Sequence, residues 1–133
     1  MIWKKNAYSD VRILDFGNKY KISVLSHNRA ECLGDLSAGE RQVLALSFTA
    51  ALYSVSGYNV PVIIDTPLGR ISGATRYNIA SALPEYLSET QLIMTMTDTE
   101  YTDEVRQAMN YAVGGEYKVI YDEETQTSKV VIM

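Results

Sequence analysis

Two short stretches carry residues whose types and spacing suit chemistry on a phosphate. In DLSAGERQVLALS, residues 35–47, the run Ser37-Ala38-Gly39-Glu40 fits S-x-x-E. In that pattern the serine hydroxyl takes the Glu40 amide and the glutamate reaches back to the Ser37 amide. Such a capping box accounts for Ser37 and Glu40 as helix-starting residues. It leaves Gly39 unexplained, because glycine inside a helix costs roughly 1 kcal/mol relative to alanine. A glycine there lets another group approach the backbone closely. Free amides at a helix start, beside a hydroxyl, make an anion site. The stretch therefore reads both as a cap and as a phosphate clamp. In VPVIIDTPLGR, Asp65 follows a short apolar run. An acid beyond the carboxyl end of a buried strand stands where parallel α/β sheets bind ligands. It is placed to hold a metal-bound water beside a phosphate. The plainer reading is a strand-end Asp that caps the next turn.

The elements that must position these residues follow from periodicity. Val11–Leu14 and Tyr20–Leu25 are β-rich runs separated by Phe16-Gly17-Asn18-Lys19, which predicts a hairpin. Ser37 opens a heavily apolar helix expected to run to about Ser56, with Gly57 as its stop. Its burial is expected to include Val43, Leu44, Leu46, Phe48, Ala50, Ala51, Leu52 and Val55. The run VPVIID reads as a parallel, central strand buried on both faces. A second helix spans about Ala74–Leu87, with Tyr77, Ala80, Leu83 and Leu87 recurring at helical spacing and Pro84 interrupting. QLIMTMT is another buried strand. A third helix, capped by Asp98 or Thr99, ends at Gly114-Gly115. Tyr117–Tyr121 and Lys129–Met133 close the chain as a hairpin. This alternation predicts an α/β fold with parallel central strands, packed helices and flanking β-hairpins.

Bulk properties narrow the field. The 133 residues predict one domain, with 47% hydrophobic and 21% charged residues as in ordinary globular chains. A net charge of −4 argues against a broad basic face for nucleic acid. The single cysteine, Cys32, allows no internal disulfide and reads as a small buried hydrophobe. A reducing, cytoplasmic setting is expected. No apolar run reaches the length of a membrane span, and MIWKKNAYSD lacks the pattern of a signal peptide. The ten tyrosines are expected at amphipathic core edges.

Taken together, the motifs resemble the C-terminal half of an ABC-type ATPase head of the SMC-like kind. LSAGERQ looks like the ABC signature and VPVIIDTP like Walker B; LGRIS falls at the D-loop and LIMTMTD at the switch-histidine strand. With TDTEYTD, the wording is similar to the DndD ATPases of DNA sulphur-modification (phosphorothioation) systems, over about residues 11–105. The resemblance implies the C-terminal lobe of a P-loop (ABC/SMC-like) ATPase head across 11–133. Residues 1–10 would be a remnant of a linker or coiled-coil approach. It implies that Ser37, Ala38, Gly39 and Glu40 face the γ-phosphate of ATP held by an opposing head. Asp65 would orient Mg²⁺ through water, and Gly69 and Arg70 would lie at the dimer contact. The implied partners are an N-terminal P-loop lobe of the same protein, a second head joined by ATP, other DNA sulphur-modification proteins, and DNA through the full-length assembly; no membrane is implied.

The sequence departs from the pattern in three places. Thr66 stands where the general-base glutamate is usual, and a threonine cannot take a proton from water as a carboxylate does. Thr97 stands near the switch-histidine position, leaving Asp98 or Glu100 to supply a carboxylate. His27 reads as a loop residue. No G-x-x-x-x-G-K-[ST] occurs, so the phosphate-cradling loop must lie elsewhere, in SMC-like proteins beyond a long coiled coil. The chain is therefore expected to be inactive alone. Alternatives are an ATP-gated dimerisation clamp with weak or no hydrolysis, or an SMC-type repair or chromosome ATPase lobe.

Overall fold

Helix α1, Ala38–Ser56, starts where S-x-x-E places it, with Ser37 as its N-cap and both reciprocal bonds of the capping box formed. It ends at Gly57, whose φ of 69° supplies the left-handed turn that releases the chain. The computed structural model describes residues 8–133. The proposed approach segment falls mostly on residues 1–7, outside the described residues. Its last positions belong to strand β1, Tyr8–Asp15, which pairs antiparallel with β2, Tyr20–Ser26.

After α1 the chain forms β3, Val62–Asp65, then α2, Gly73–Tyr86, then β4, Leu92–Thr95. β3 and β4 pair in parallel with Ile63 opposite Ile93 and Asp65 opposite Thr95. A β-α-β unit with Asp65 at the carboxyl end of its first strand is thus present as expected. Pro84 lies inside α2, which continues past it to Tyr86. Helix α3, Asp103–Met109, and the hairpin β5, Tyr117–Asp122, with β6, Thr127–Ile132, complete the order.

One core lies between α1, α2, α3 and the loop after β3: Val43 and Leu46 meet Leu68, Ile79, Val105 and Met109. A second joins the β1–β2 hairpin to α1 through Val24, Cys32, Leu36 and Leu44. Cys32 is buried as expected and donates to the Val24 carbonyl at 3.2 Å. Burial, then the carboxylates of Glu31, Asp35 and Glu40, push its thiol pKa up. A third core sets Ala50 against Leu83 and Leu87 beneath the sheet.

Several expectations fail for a common physical reason: faces that read as buried from their periodicity have no covering element among the described residues. β3 is not buried on both faces. Val62 and Ile64 point into the cores, whereas Ile63 is 71% exposed and its register partner Ile93 is 42% exposed. In α1 the last fully buried residue is Ala50, with Tyr53 half-buried against the same core and Ala51, Leu52 and Val55 exposed; Tyr77 of α2 is likewise exposed. Tyr8, Tyr53 and Tyr101 stand at core edges as expected, whereas the other tyrosines are exposed, including Tyr20, Tyr58, Tyr111 and Tyr117. The third helix is capped by Thr102, whose hydroxyl accepts from the Val105 amide, and not by Asp98 or Thr99. No helix among the described residues is long and apolar enough to cross a membrane.

Candidate functional site

The α1 N-terminus and the loop after β3 form one surface because two α1 residues bind that loop. The Gln42 side chain donates to the carbonyls of Thr66 at 2.8 Å and Pro67 at 2.9 Å, and its Oε1 accepts from the Arg70 amide at 3.2 Å. Gly39 touches the same loop. A Cβ at position 39 would stand 2.4 Å from the Arg70 carbonyl oxygen, so only glycine fits. The close approach expected at Gly39 is therefore made by the chain's own backbone.

At the helix start, the Ser37 hydroxyl accepts from the Glu40 amide at 3.3 Å and donates to Glu40 Oε2 at 2.7 Å. The Ser37 amide donates to the same oxygen at 2.8 Å, and Tyr8 donates to Glu40 Oε1 at 3.0 Å. Glu40 is thus occupied in ordering the cap. The first-turn amides of Ala38 and Gly39 have no intrahelical carbonyl to bond. Arg41 fixes the entry to the helix by donating to the carbonyls of Leu36 at 2.9 Å and Gly34 at 3.1 Å.

Asp65 is exposed at the end of β3, and its Oδ1 accepts from the Thr95 hydroxyl of β4 at 2.5 Å. Thr66 has φ 48°, in the left-handed region, which costs a non-glycine residue roughly 1–2 kcal/mol and suits a β-branched one least. The surroundings hold it there. Its amide donates to the Thr95 carbonyl at 2.9 Å while its own carbonyl takes Gln42. Thr66→Asn, a residue that tolerates this region, is expected to raise stability by about 1 kcal/mol in a denaturant titration. A loss of stability would mean that the threonine side chain contributes more than the strain removes.

The two carboxylates considered beside Thr97 have opposite fates. The Asp98 side chain is 95% exposed and only approaches Lys118, at 4.0 Å. Glu100 is 1% exposed. It accepts from the Leu68 amide at 2.9 Å, the Thr97 amide at 3.1 Å and the Thr97 hydroxyl at 3.0 Å. Both its oxygens are engaged, so it is a tether between loops and not a free base. A Cβ at position 69 would stand 3.5 Å from Glu100 Oε1, an ordinary contact, so Gly69 has no steric need to be glycine. Arg70 is exposed. His27 lies in an exposed turn, as expected. Gln42 and Arg76 were not marked as site residues by the sequence; Gln42 lies within LSAGERQ, but its partners are 24 to 28 positions away.

The fold has counterparts in solved structures. A chain from work on ATP-driven dimerization and DNA-stimulated activation of SMC ATPases aligns with TM-score 0.68 at 19% identity, over 96% of this chain and 74% of that one. The fold is that of SMC ATPase heads. An Smc head bound to the C-winged helix domain of ScpA aligns with TM-score 0.70 at 18% identity, over 96% of this chain and 37% of that one. An SMC head domain from Thermotoga maritima aligns with TM-score 0.57 at 18% identity, over 84% of this chain and 39% of that one. The chain thus spans less than two fifths of the latter two SMC chains. No protein-family model matches the sequence, and no curated protein matches it.

Proposed function

We propose that this chain is the C-terminal lobe of an SMC-like ATP-binding head, completed by an N-terminal lobe that carries the P-loop. The observation that carries the reading is the single surface built from the α1 start and the loop after Asp65, fastened by Gln42 and by the Gly39–Arg70 contact. Ser37 and the amides of Ala38 and Gly39 would face the γ-phosphate of ATP held by a second head, with Gly69 and Arg70 at the contact between heads. For Ser37 to donate to that phosphate, its hydroxyl must leave Glu40 Oε2. Asp65 would hold Mg²⁺ through water. A single carboxylate suits an ion that keeps several waters and takes its other ligands from phosphates. Among the described residues no group of three or more His, Cys, Asp or Glu gathers as a metal cage. The similarity of IDTPLGR and TDTE to the DndD ATPases makes DNA sulphur modification the process we assign, with its other proteins and DNA as partners of the full assembly.

The ATP-gated clamp with weak hydrolysis is favoured by one observation. Thr66 follows Asp65 without a carboxylate, and both oxygens of Glu100 are already bonded to backbone and Thr97, so neither offers a free general base. One experiment tests the head assignment. The chain alone is expected to show no ATP turnover, and the chain joined to its P-loop lobe to hydrolyse ATP. Ser37→Arg in the joined head is expected to reduce the rate about 100-fold or more, the scale of losing a charge-stabilising donor. Undiminished turnover in that variant, or robust turnover by the lobe alone, would refute the assignment.

A further inference from the structure

Two side chains outside the signature stretch bind the loop after β3 to the loop after β4. Glu100 spans Leu68 and Thr97 through its two oxygens. Arg76, from α2, donates to the Ile71 carbonyl at 2.7 Å and the Thr99 carbonyl at 2.8 Å. The bonds bracket both loops: Leu68 and Ile71 on one, Thr97 and Thr99 on the other. A buried carboxylate that accepts three hydrogen bonds is costly to disturb, because breaking one contact leaves charged or polar groups unsatisfied in the interior. The two loops are therefore linked more stiffly than the short pairing of β3 with β4 alone provides. Gln42 extends the linkage to α1, since it grips residues 66, 67 and 70 of the first loop.

We propose that Glu100 is a positioning residue that makes the loops after β3 and β4 move as one body, so that a partner pressing on residues 69–70 sets the position of Thr97 at the Asp65 end of the sheet. This rests on the head assignment above, in which residues 69–70 meet the second head. The coupling should act on the chemical step and leave nucleotide binding alone, because Glu100 has no free oxygen to offer a ligand.

The test uses the head assembled with its P-loop lobe, by single-turnover hydrolysis, KM for ATP, pairing of heads on a non-hydrolysable ATP analogue, and melting temperature. Glu100→Gln keeps the shape but turns an amide donor toward either the Leu68 or the Thr97 amide. We expect the hydrolysis rate to fall about 10- to 100-fold, the scale of an ångström-sized misplacement. KM and pairing should stay within about twofold, the signature of an interaction that acts on the chemical step and not on binding. Arg76→Gln should lower the rate in the same direction. An unchanged rate overturns the proposal. So does a rate that falls only together with pairing and melting temperature, which would make Glu100 a support of the fold alone. If Glu100→Gln does not fold, Arg76→Gln decides by the same criteria. Ser37→Arg runs alongside: if it turns over normally, the head assignment has failed; if it is dead while Glu100→Gln is normal, only the coupling has failed.

Discussion

Alanine at position 39 is expected to destabilise the protein by about 1–3 kcal/mol, the usual range for an overpacked site. Helix propensity alone forecasts the opposite, a gain of roughly 1 kcal/mol when a helical glycine becomes alanine. The two arguments differ in sign, so a denaturant midpoint decides between them. The structural argument is the stronger because the obstacle is backbone. The new methyl would lie 2.4 Å from the Arg70 carbonyl oxygen, with the Arg70 carbonyl carbon and Ile71 Cα behind it. No rotamer change can relieve that contact. Either α1 shifts, straining its packing through Val43 and Leu46, or the loop after β3 retreats. Retreat would break the Gln42 bonds to Thr66, Pro67 and Arg70 and move Leu68, which is 1% exposed in the core. The same variant should therefore lose ATP turnover in the joined head even where it remains folded. A stabilised Gly39→Ala would remove the packing account of this glycine and return it to the ligand-approach reading.

Local signals were legible in the sequence where the physics is local. The α1 cap needs only Ser37 and Glu40 at a fixed spacing, and its stop needs only Gly57, so both stand where the pattern places them. The β3-α2-β4 unit follows from short apolar runs flanking a helical repeat, and that alternation carries its parallel pairing although the burial of β3 on both faces does not hold. The start of α3 was misplaced because Asp98 and Thr99 are good cap residues by type. The buried Glu100 instead folds residues 97–100 into a turn, its carboxylate taking the Thr97 amide and hydroxyl and delaying the helix to Thr102. That carboxylate's other partner, the Leu68 amide, lies 32 positions away, and no local pattern announces such a bond. Periodicity also does not distinguish an apolar face that this chain covers from one that it leaves exposed. That is why Ile63, Leu52 and Val55 read as core and stand exposed.

Arginine at position 63 should separate those two kinds of face. Ile63 is 71% exposed on the side of β3 that also carries Asp65, and Ile93 lies beside it on β4. Alone, the chain has nothing packed on that side among its described residues, so Ile63→Arg is expected to change its stability by less than about 0.5 kcal/mol. Val62→Arg, one residue earlier but 6% exposed and turned into the core, should unfold it. In the joined head position 63 is expected to become sensitive as well. A parallel sheet is ordinarily covered on both faces, and an isoleucine at the centre of such a contact behaves as a hot spot. Its replacement by a charge should weaken association with the P-loop lobe by about 2 kcal/mol or more, some 30-fold in affinity. Pull-down and titration of the two lobes measure this directly. If the Ile63→Arg chain stays folded and still binds the P-loop lobe with unchanged affinity, the lobe docks elsewhere and the bare β3–β4 face has another purpose. If it stays folded and loses the partner, Ile63 and Ile93 belong to a core shared between two lobes.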